Sequence, residues 1–84
     1  MRETFLLINC DLGKEQQIVE SLETLQDVQE VQVTYGVYDI VAKIQTKTEK
    51  ELNKTIRLKI MSLRPVQSVL ALKTDSDAHI TTTQ

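Results

Sequence analysis

Thr34-Tyr35-Gly36-Val37-Tyr38-Asp39 divides this chain into two halves that read alike. The stretch holds one of two glycines and both tyrosines, and apolar alternation flanks it on either side. A short polar-and-glycine break between two such runs predicts a turn that reverses the chain between strands.

Outward from that turn, residues 38–45 (Tyr-Asp-Ile-Val-Ala-Lys-Ile-Gln) predict a strand with Ile40, Ala42 and Ile44 on one face and Val41 on the other. On the near side, residues 28–34 alternate Val31 and Val33 with Glu30, Gln32 and Thr34, the pattern of a half-exposed edge strand. Before it, residues 14–26 space Ile18, Val19, Leu22 and Leu25 along one stripe of an amphipathic helix, with Glu15 near its positive end. Residues 4–10 (Thr-Phe-Leu-Leu-Ile-Asn-Cys) predict a strand apolar on both parities, broken by Asp11-Leu12-Gly13. On the far side, Thr48-Glu49-Lys50-Glu51 is a capping box that opens a second helix carrying Leu52, Ile56, Ile60 and Leu63. Pro65 stops that helix, and residues 66–73 predict a last strand, again apolar on both parities. The expected domain is 1–74, followed by a polar tail at 75–84.

Ile18, Leu22, Leu25, Val28, Gln29 and Val31 recur, 38 residues later, as Ile56, Ile60, Leu63, Val66, Gln67 and Val69. A repeated helix–strand unit in the order βαββαβ predicts an α+β, ferredoxin-like sandwich with the first and third strands central and the second at an edge.

Two helices cover one face of a four-stranded sheet, yet strands one, three and four are apolar on both. Taken strand by strand, one set is Phe5, Leu7, Val41, Val69 and Ala71, and the other is Leu6, Ile8, Ile40, Ala42, Ile44, Leu70 and Leu72. Which set meets the helices stays open. Either way an aliphatic patch is left over that exceeds what soluble monomers usually expose. At roughly 25 cal/mol per Å², its burial contributes several kcal/mol, so pairing of sheet faces about a twofold axis is expected. The same follows from size, because an 84-residue chain makes a small core.

Charge and composition narrow the function. A net charge of −2 gives no electrostatic footprint for nucleic acid. Phe5 and Tyr38 lie outside any RNP-like consensus, so an RNA-recognition sheet is disfavoured. No apolar run approaches the roughly 20 residues of a membrane span, and Met1-Arg2-Glu3-Thr4 opens no signal peptide. The single cysteine, Cys10, suits a reducing compartment and a packing role, hence a cytoplasmic protein. His79, in the tail near Asp75 and Asp77, is a poor metal site, and neither a metal nor a cofactor is expected. No nucleophile–base pair is visible, so no catalytic residue and no enzyme activity are expected. The alternative in that class is a small dimeric α+β-barrel enzyme of the monooxygenase type, which also packs sheet faces together.

Thr34-Tyr35-Gly36-Val37-Tyr38-Asp39-Ile40, followed by a capped helix and Leu63-Arg64-Pro65-Val66, resembles the effector-binding (RAM) domain of the Lrp/AsnC transcriptional regulators. The resemblance covers residues 3–73, and its most specific part is the Gly-x-Tyr-Asp turn. It implies a stand-alone effector domain without the family's helix-turn-helix. It further implies sheet-face homodimers, higher oligomers of dimers, and an amino acid or related metabolite bound near that turn. Co-assembly with full-length Lrp/AsnC regulators follows from the same resemblance. By carry-over the ligand-binding residues are Thr34, Gly36, Val37, Tyr38, Asp39 and Ser68. Gly36 would permit positive φ and close approach to a ligand carboxylate, successive N–H groups would cradle the anion, and Asp39 would contact the ligand or brace the turn. Amino-acid-binding members often alternate hydroxyl residues along the last strand, whereas Ser68-Val69-Leu70-Ala71 keeps Ser68 alone, which points to a different or more apolar ligand.

Overall fold

β1 (Arg2–Cys10), α1 (Glu15–Glu23), β2 (Val28–Val33), β3 (Ile40–Thr46), α2 (Glu49–Thr55), a π-helical turn (Ile56–Ile60) and β4 (Val66–Thr74) follow one another in the expected βαββαβ order. The computed structural model describes residues 2–74, so the tail at 75–84, with His79, lies outside the described residues. The strands form one sheet in the order β2-β3-β1-β4, every neighbouring pair antiparallel. The central strands are therefore β1 and β3, as expected, while β4, also apolar on both parities, lies at an edge opposite β2.

Helices cover a single face of this sheet. Leu6, Ile8, Ile40, Ala42 and Ile44 from the sheet meet Ile18 and Leu22 of α1, Leu52 of α2 and Ile60 of the π turn, and all are buried. Complete burial of each larger aliphatic side chain contributes about 1.5–3 kcal/mol. β1 shows the resulting alternation directly: Leu6, Ile8 and Cys10 are buried, and Phe5, Leu7 and Asn9 between them are half-buried.

Strand register corrects the expected pairing of faces. Leu6 stands opposite Ala71 and Ile8 opposite Val69, while Phe5 stands opposite Leu72 and Leu7 opposite Leu70. Val69 and Ala71 therefore pack on the helix side, and Leu70 and Leu72 join Phe5, Leu7 and Val41 on the outer face. Alternation within a strand says which residues share a face of that strand, but only cross-strand pairing says which faces coincide. The outer face thus carries the larger residues of β4, with Leu70 and Leu72 each 45% exposed. A polar rim borders it. Lys43 lies 3.4 Å from Glu3, and Gln45 donates to Glu3 at 3.1 Å. The hydrogen bond from Gln45 and the charge of Lys43 hold the Glu3 carboxyl below the usual range.

α2 starts where its capping box predicts. Thr48 Oγ1 accepts from the Glu51 backbone N–H at 3.1 Å, and Glu51 Oε1 accepts from the Lys47 N–H at 3.0 Å. Its continuation departs from a plain α-helix, because the Met61 N–H donates to Ile56 O, five residues back, at 2.8 Å. One residue more per turn changes the stripe. The buried positions are Leu52, Thr55 and Ile60, and Ile56 is only half-buried. Even spacing from Leu52 through Ile56 to Ile60 missed Thr55, whose hydroxyl donates to Asp27 Oδ2 at 3.2 Å. α1 is shorter than its apolar pattern, since Leu25 turns off the helix axis while still packing on the core.

Between β1 and α1 the chain turns through Gly13, whose φ is +82°. No atom lies within 4 Å of a Cβ added there, so the glycine is required by backbone conformation rather than by space. Gly13→Ala is expected to lower unfolding free energy by about 1 kcal/mol, the usual cost of a left-handed non-glycine residue. Urea denaturation with an unchanged m-value is the check.

Candidate functional site

One end of the sheet gathers the loop at 34–39, the end of β1, the turn at 11–13 and the start of β4. The loop spans the gap between Val33 and Ile40, which face each other across β2 and β3. Tyr38 and Asp39, expected in the strand, belong to this loop, and β3 begins at Ile40. The loop is closed at its base, where the Thr34 N–H donates to Asp39 O at 2.9 Å and the Thr34 hydroxyl donates to Tyr38 O.

Asp39 fastens the loop to β1. Its N–H is shared between Ile8 O at 3.0 Å and Asn9 Oδ1 at 3.2 Å. Its Oδ2 accepts the Cys10 N–H at 2.9 Å. That donor is available because the pairing of β1 with β4 shifts register between Asn9 and Cys10. A buried amide without an acceptor is costly, and the carboxylate supplies one. The Cys10 thiol is pushed above its ordinary value, first by burial and then by the carboxylates of Asp39, Glu15 and Asp11. It therefore stays protonated, as a packing thiol does.

The tip behaves differently. Tyr35, Gly36 and Val37 are exposed, and none of residues 35–38 donates a backbone hydrogen bond to another described residue. Gly36 does not adopt the left-handed conformation expected of it, and nothing lies within 4 Å of a Cβ added there. Its freedom from a side chain is thus not demanded by this loop in a single chain. Gly36→Ala is expected to leave stability unchanged or raise it by up to about 1 kcal/mol, through loss of unfolded-state entropy. The thermal midpoint of the variant checks this against Gly13→Ala.

Of the expected ligand residues, Thr34, Tyr38 and Asp39 are joined by hydrogen bonds, and Gly36 and Val37 form the open tip beside them. Ser68 stands apart on β4, paired with Asn9 and exposed on the outer sheet face. β1 separates it from the loop, a span of about 10 Å at two strand spacings. Asn9 is the residue sequence reasoning missed. It lies in the row between Ser68 and Asp39, and the signal available was a lone amide ending an otherwise apolar strand. Among the described residues, no group of three or more His, Cys, Asp or Glu side chains is placed to hold a metal ion. No helix among them is long and apolar enough to cross a membrane.

Residues 3–74 match the family described as the Lrp/AsnC ligand binding domain. The chain belongs to that family. An Lrp/AsnC relative, the HTH-type transcriptional regulator FL11 of Pyrococcus abyssi, is 32% identical over 75 residues. That match covers 87% of this chain and 50% of the regulator, so the chain spans about half the length of this curated relative. The crystal structure of FFRP-DM1 superposes with a TM-score of 0.86 at 32% identity, covering 89% of this chain and 100% of that one. A hypothetical protein of Pyrococcus horikoshii, PHS023, gives 0.86 at 30% identity, covering 99% and 100%. The Lrp/AsnC assignment makes this a domain of a regulatory family, with the ferredoxin-like architecture its sequence predicted.

Proposed function

We propose that this chain is an effector-sensing and oligomerisation domain that modulates Lrp/AsnC regulators without itself contacting DNA. Copies pair through the outer sheet face, burying Phe5, Leu7, Val41, Leu70 and Leu72 against their equivalents inside the polar rim. Dimers assemble further, and an amino acid or related small metabolite binds at the sheet end where loop 34–39 stands. Free N–H groups at the tip take the ligand's carboxylate. Asp39 and Thr34 hold the tip in place, and Asp39 Oδ1 accepts the ligand's ammonium group. Ser68, from its own chain or from a neighbouring copy, supplies the last-strand hydroxyl. In keeping with Ser68 as the one hydroxyl residue in Ser68-Val69-Leu70-Ala71, apolar ligand side chains are favoured over polar ones. Co-assembly with a full-length regulator changes that regulator's oligomeric state. A net charge of −2 gives duplex DNA little to attract, which supports a role apart from DNA contact.

The observation that carries this function is the division of the loop into a pinned base and an unbonded tip. Thermal-shift measurements and native mass spectrometry against a panel of standard amino acids test it together. A raised midpoint and a bound mass are expected for at least one aliphatic amino acid. A flat response across the whole panel, with assembly unchanged, rejects the sensing role.

A further inference from the structure

The sheet end remote from loop 34–39 carries a second gathering of polar side chains. β3 runs from Ile40 beside that loop to Thr46, about 20 Å away at roughly 3.3 Å per residue. There Asp27 precedes β2, Lys47 follows β3, and Glu51 lies in the first turn of α2. Together with Gln29, Gln45 and Thr46 they line a cleft of about 330 Å³.

Backbone contacts fix its walls. The Gln45 N–H donates to Asp27 O at 2.9 Å, which ties the turn before β2 to the end of β3. β2 shifts register between Val28 and Glu30, and Gln29, the residue at the shift, reaches back with Nε2 to Asp27 O at 3.4 Å. A bulge re-aims a side chain in this way. From the helical layer, Thr55 donates its hydroxyl to Asp27 Oδ2 at 3.2 Å. Glu51 stands four residues before Thr55, hence on the same face of α2 and about 6 Å away along its axis. Asp27 and Glu51 are thus neighbouring carboxylates on one cleft.

Each carboxylate uses one oxygen within the fold and leaves the other open. Asp27 Oδ2 holds Thr55, and Glu51 Oε1 accepts the Lys47 N–H at 3.0 Å. No described residue donates to Asp27 Oδ1 or to Glu51 Oε2, and Lys47 Nζ makes no ion pair with a described residue. Two carboxylates against the single Lys47 ammonium leave the lining net negative.

Surface acids are ordinarily solvated and by themselves mark nothing. Thr46 is the independent observation. It is 4% exposed and lies on the helix side of β3 with Ala42 and Ile44. Among the described residues its Oγ1 is the one buried side-chain polar atom without a hydrogen-bond partner. An unpartnered buried hydroxyl is costly, and the equally buried Thr55 avoids that cost through Asp27. A ligand rich in hydrogen-bond donors completes Thr46, Asp27 and Glu51 at once.

We propose that this cleft binds a small aliphatic amine as its cation, at a site separate from loop 34–39. An ammonium group carries three N–H donors. They go to Asp27 Oδ1, Glu51 Oε2 and Thr46 Oγ1, two of them as charge-assisted hydrogen bonds. Lys47 Nζ donates to an oxygen next to the amine, so amino alcohols fit better than plain alkylamines. A ligand carboxylate is disfavoured, because it meets two groups of its own charge.

Titration of the ¹⁵N-labelled full chain with ethanolamine, followed by amide correlation spectra at constant pH and ionic strength, tests this. Saturable shifts are expected at Asp27, Gln29, Gln45, Lys47 and Glu51, with the amides of residues 35–38 unmoved. Glycine is expected to bind this cleft more weakly by about tenfold or more, and acetate not at all. Thr46→Val removes the hydroxyl and keeps the shape. It is expected to hold or raise the thermal midpoint of the free chain while weakening ethanolamine by about tenfold or more. Asp27→Asn keeps an acceptor for Thr55 and is expected to weaken ethanolamine to a similar degree, so it decides the matter if Thr46→Val loses the circular dichroism of the parent. Shifts that never saturate, or that sodium chloride reproduces, overturn the proposal. So do saturable shifts confined to residues 35–38, a preference for glycine, or parental affinity in a folded Thr46→Val or Asp27→Asn chain. The amino-acid panel reports on loop 34–39 and this titration on the opposite sheet end, so either site fails without the other.

Discussion

Leu7→Glu is expected to release folded single chains from the proposed sheet-paired dimer. Leu7 sits at the middle of the outer face, opposite Val41 on one side and Leu70 on the other. In a twofold pair each substitution is felt twice. Losing the remaining burial of one leucine costs about 1 kcal/mol per copy. An unpaired carboxylate sealed between two apolar sheets costs several kcal/mol more. At about 1.4 kcal/mol per decade, the dimer dissociation constant rises on the order of a thousandfold or beyond. Fold is retained because Leu7 points away from the core, whereas Leu6→Glu, one residue earlier on the helix side, is expected to unfold the chain. Glu30→Lys, outside the apolar patch at the sheet edge, changes the constant by less than tenfold. Sedimentation equilibrium gives the constants, and circular dichroism separates dissociation from unfolding. The thermal midpoint of the parent rises with concentration, and that of Leu7→Glu does not. A Leu7→Glu chain that remains dimeric at micromolar concentration places the interface elsewhere.

The contrast between Leu6 and Leu7 also marks how far the sequence could be read. Element order, the two central strands and most of the core were legible, because each depends on periodicity within one segment and on an internal repeat. The face shared by Leu70 and Leu72 was not, because it depends on how β4 slides against β1, and parity is silent about register. The buried Thr55 was hidden for a related reason. A π turn displaces the stripe by a residue, and helical spacing counted at 3.6 per turn passes over it. At the candidate site the position of the turn was plain, and its two glycine arguments came out reversed. Gly13, a mere break in the sequence, holds the left-handed conformation, and Gly36, the motif glycine, does not. A glycine declares conformational freedom, not whether the fold uses it. Asn9 was passed over because its partner, Asp39, is thirty positions away and reaches it only when β1 and β3 pair.

Asp39→Ala and Asp39→Asn are expected to part the bracing role of this carboxylate from its proposed contact with a ligand. Alanine removes the acceptor of the Cys10 N–H and leaves a part-buried donor unpaired, a loss of about 1–3 kcal/mol. Small domains hold only about 5–15 kcal/mol in total, so a lowered thermal midpoint and faster amide exchange at Cys10 are expected. The contacts from the Asp39 backbone to Ile8 and Asn9 survive both changes. Asparagine keeps an oxygen in the place of Oδ2, so it costs about 1 kcal/mol, the difference between a charged and a neutral acceptor. Its effect on an amino-acid ligand is larger. Without the negative charge the ammonium group loses a charge-assisted partner, and calorimetric titration is expected to show affinity weakened by about 10–100-fold. Affinity in Asp39→Asn equal to that of the parent makes Asp39 a brace alone and returns the ammonium contact to another copy. Equal stability in Asp39→Ala removes the brace instead, and with it the reason the tip of this loop stands ordered and open.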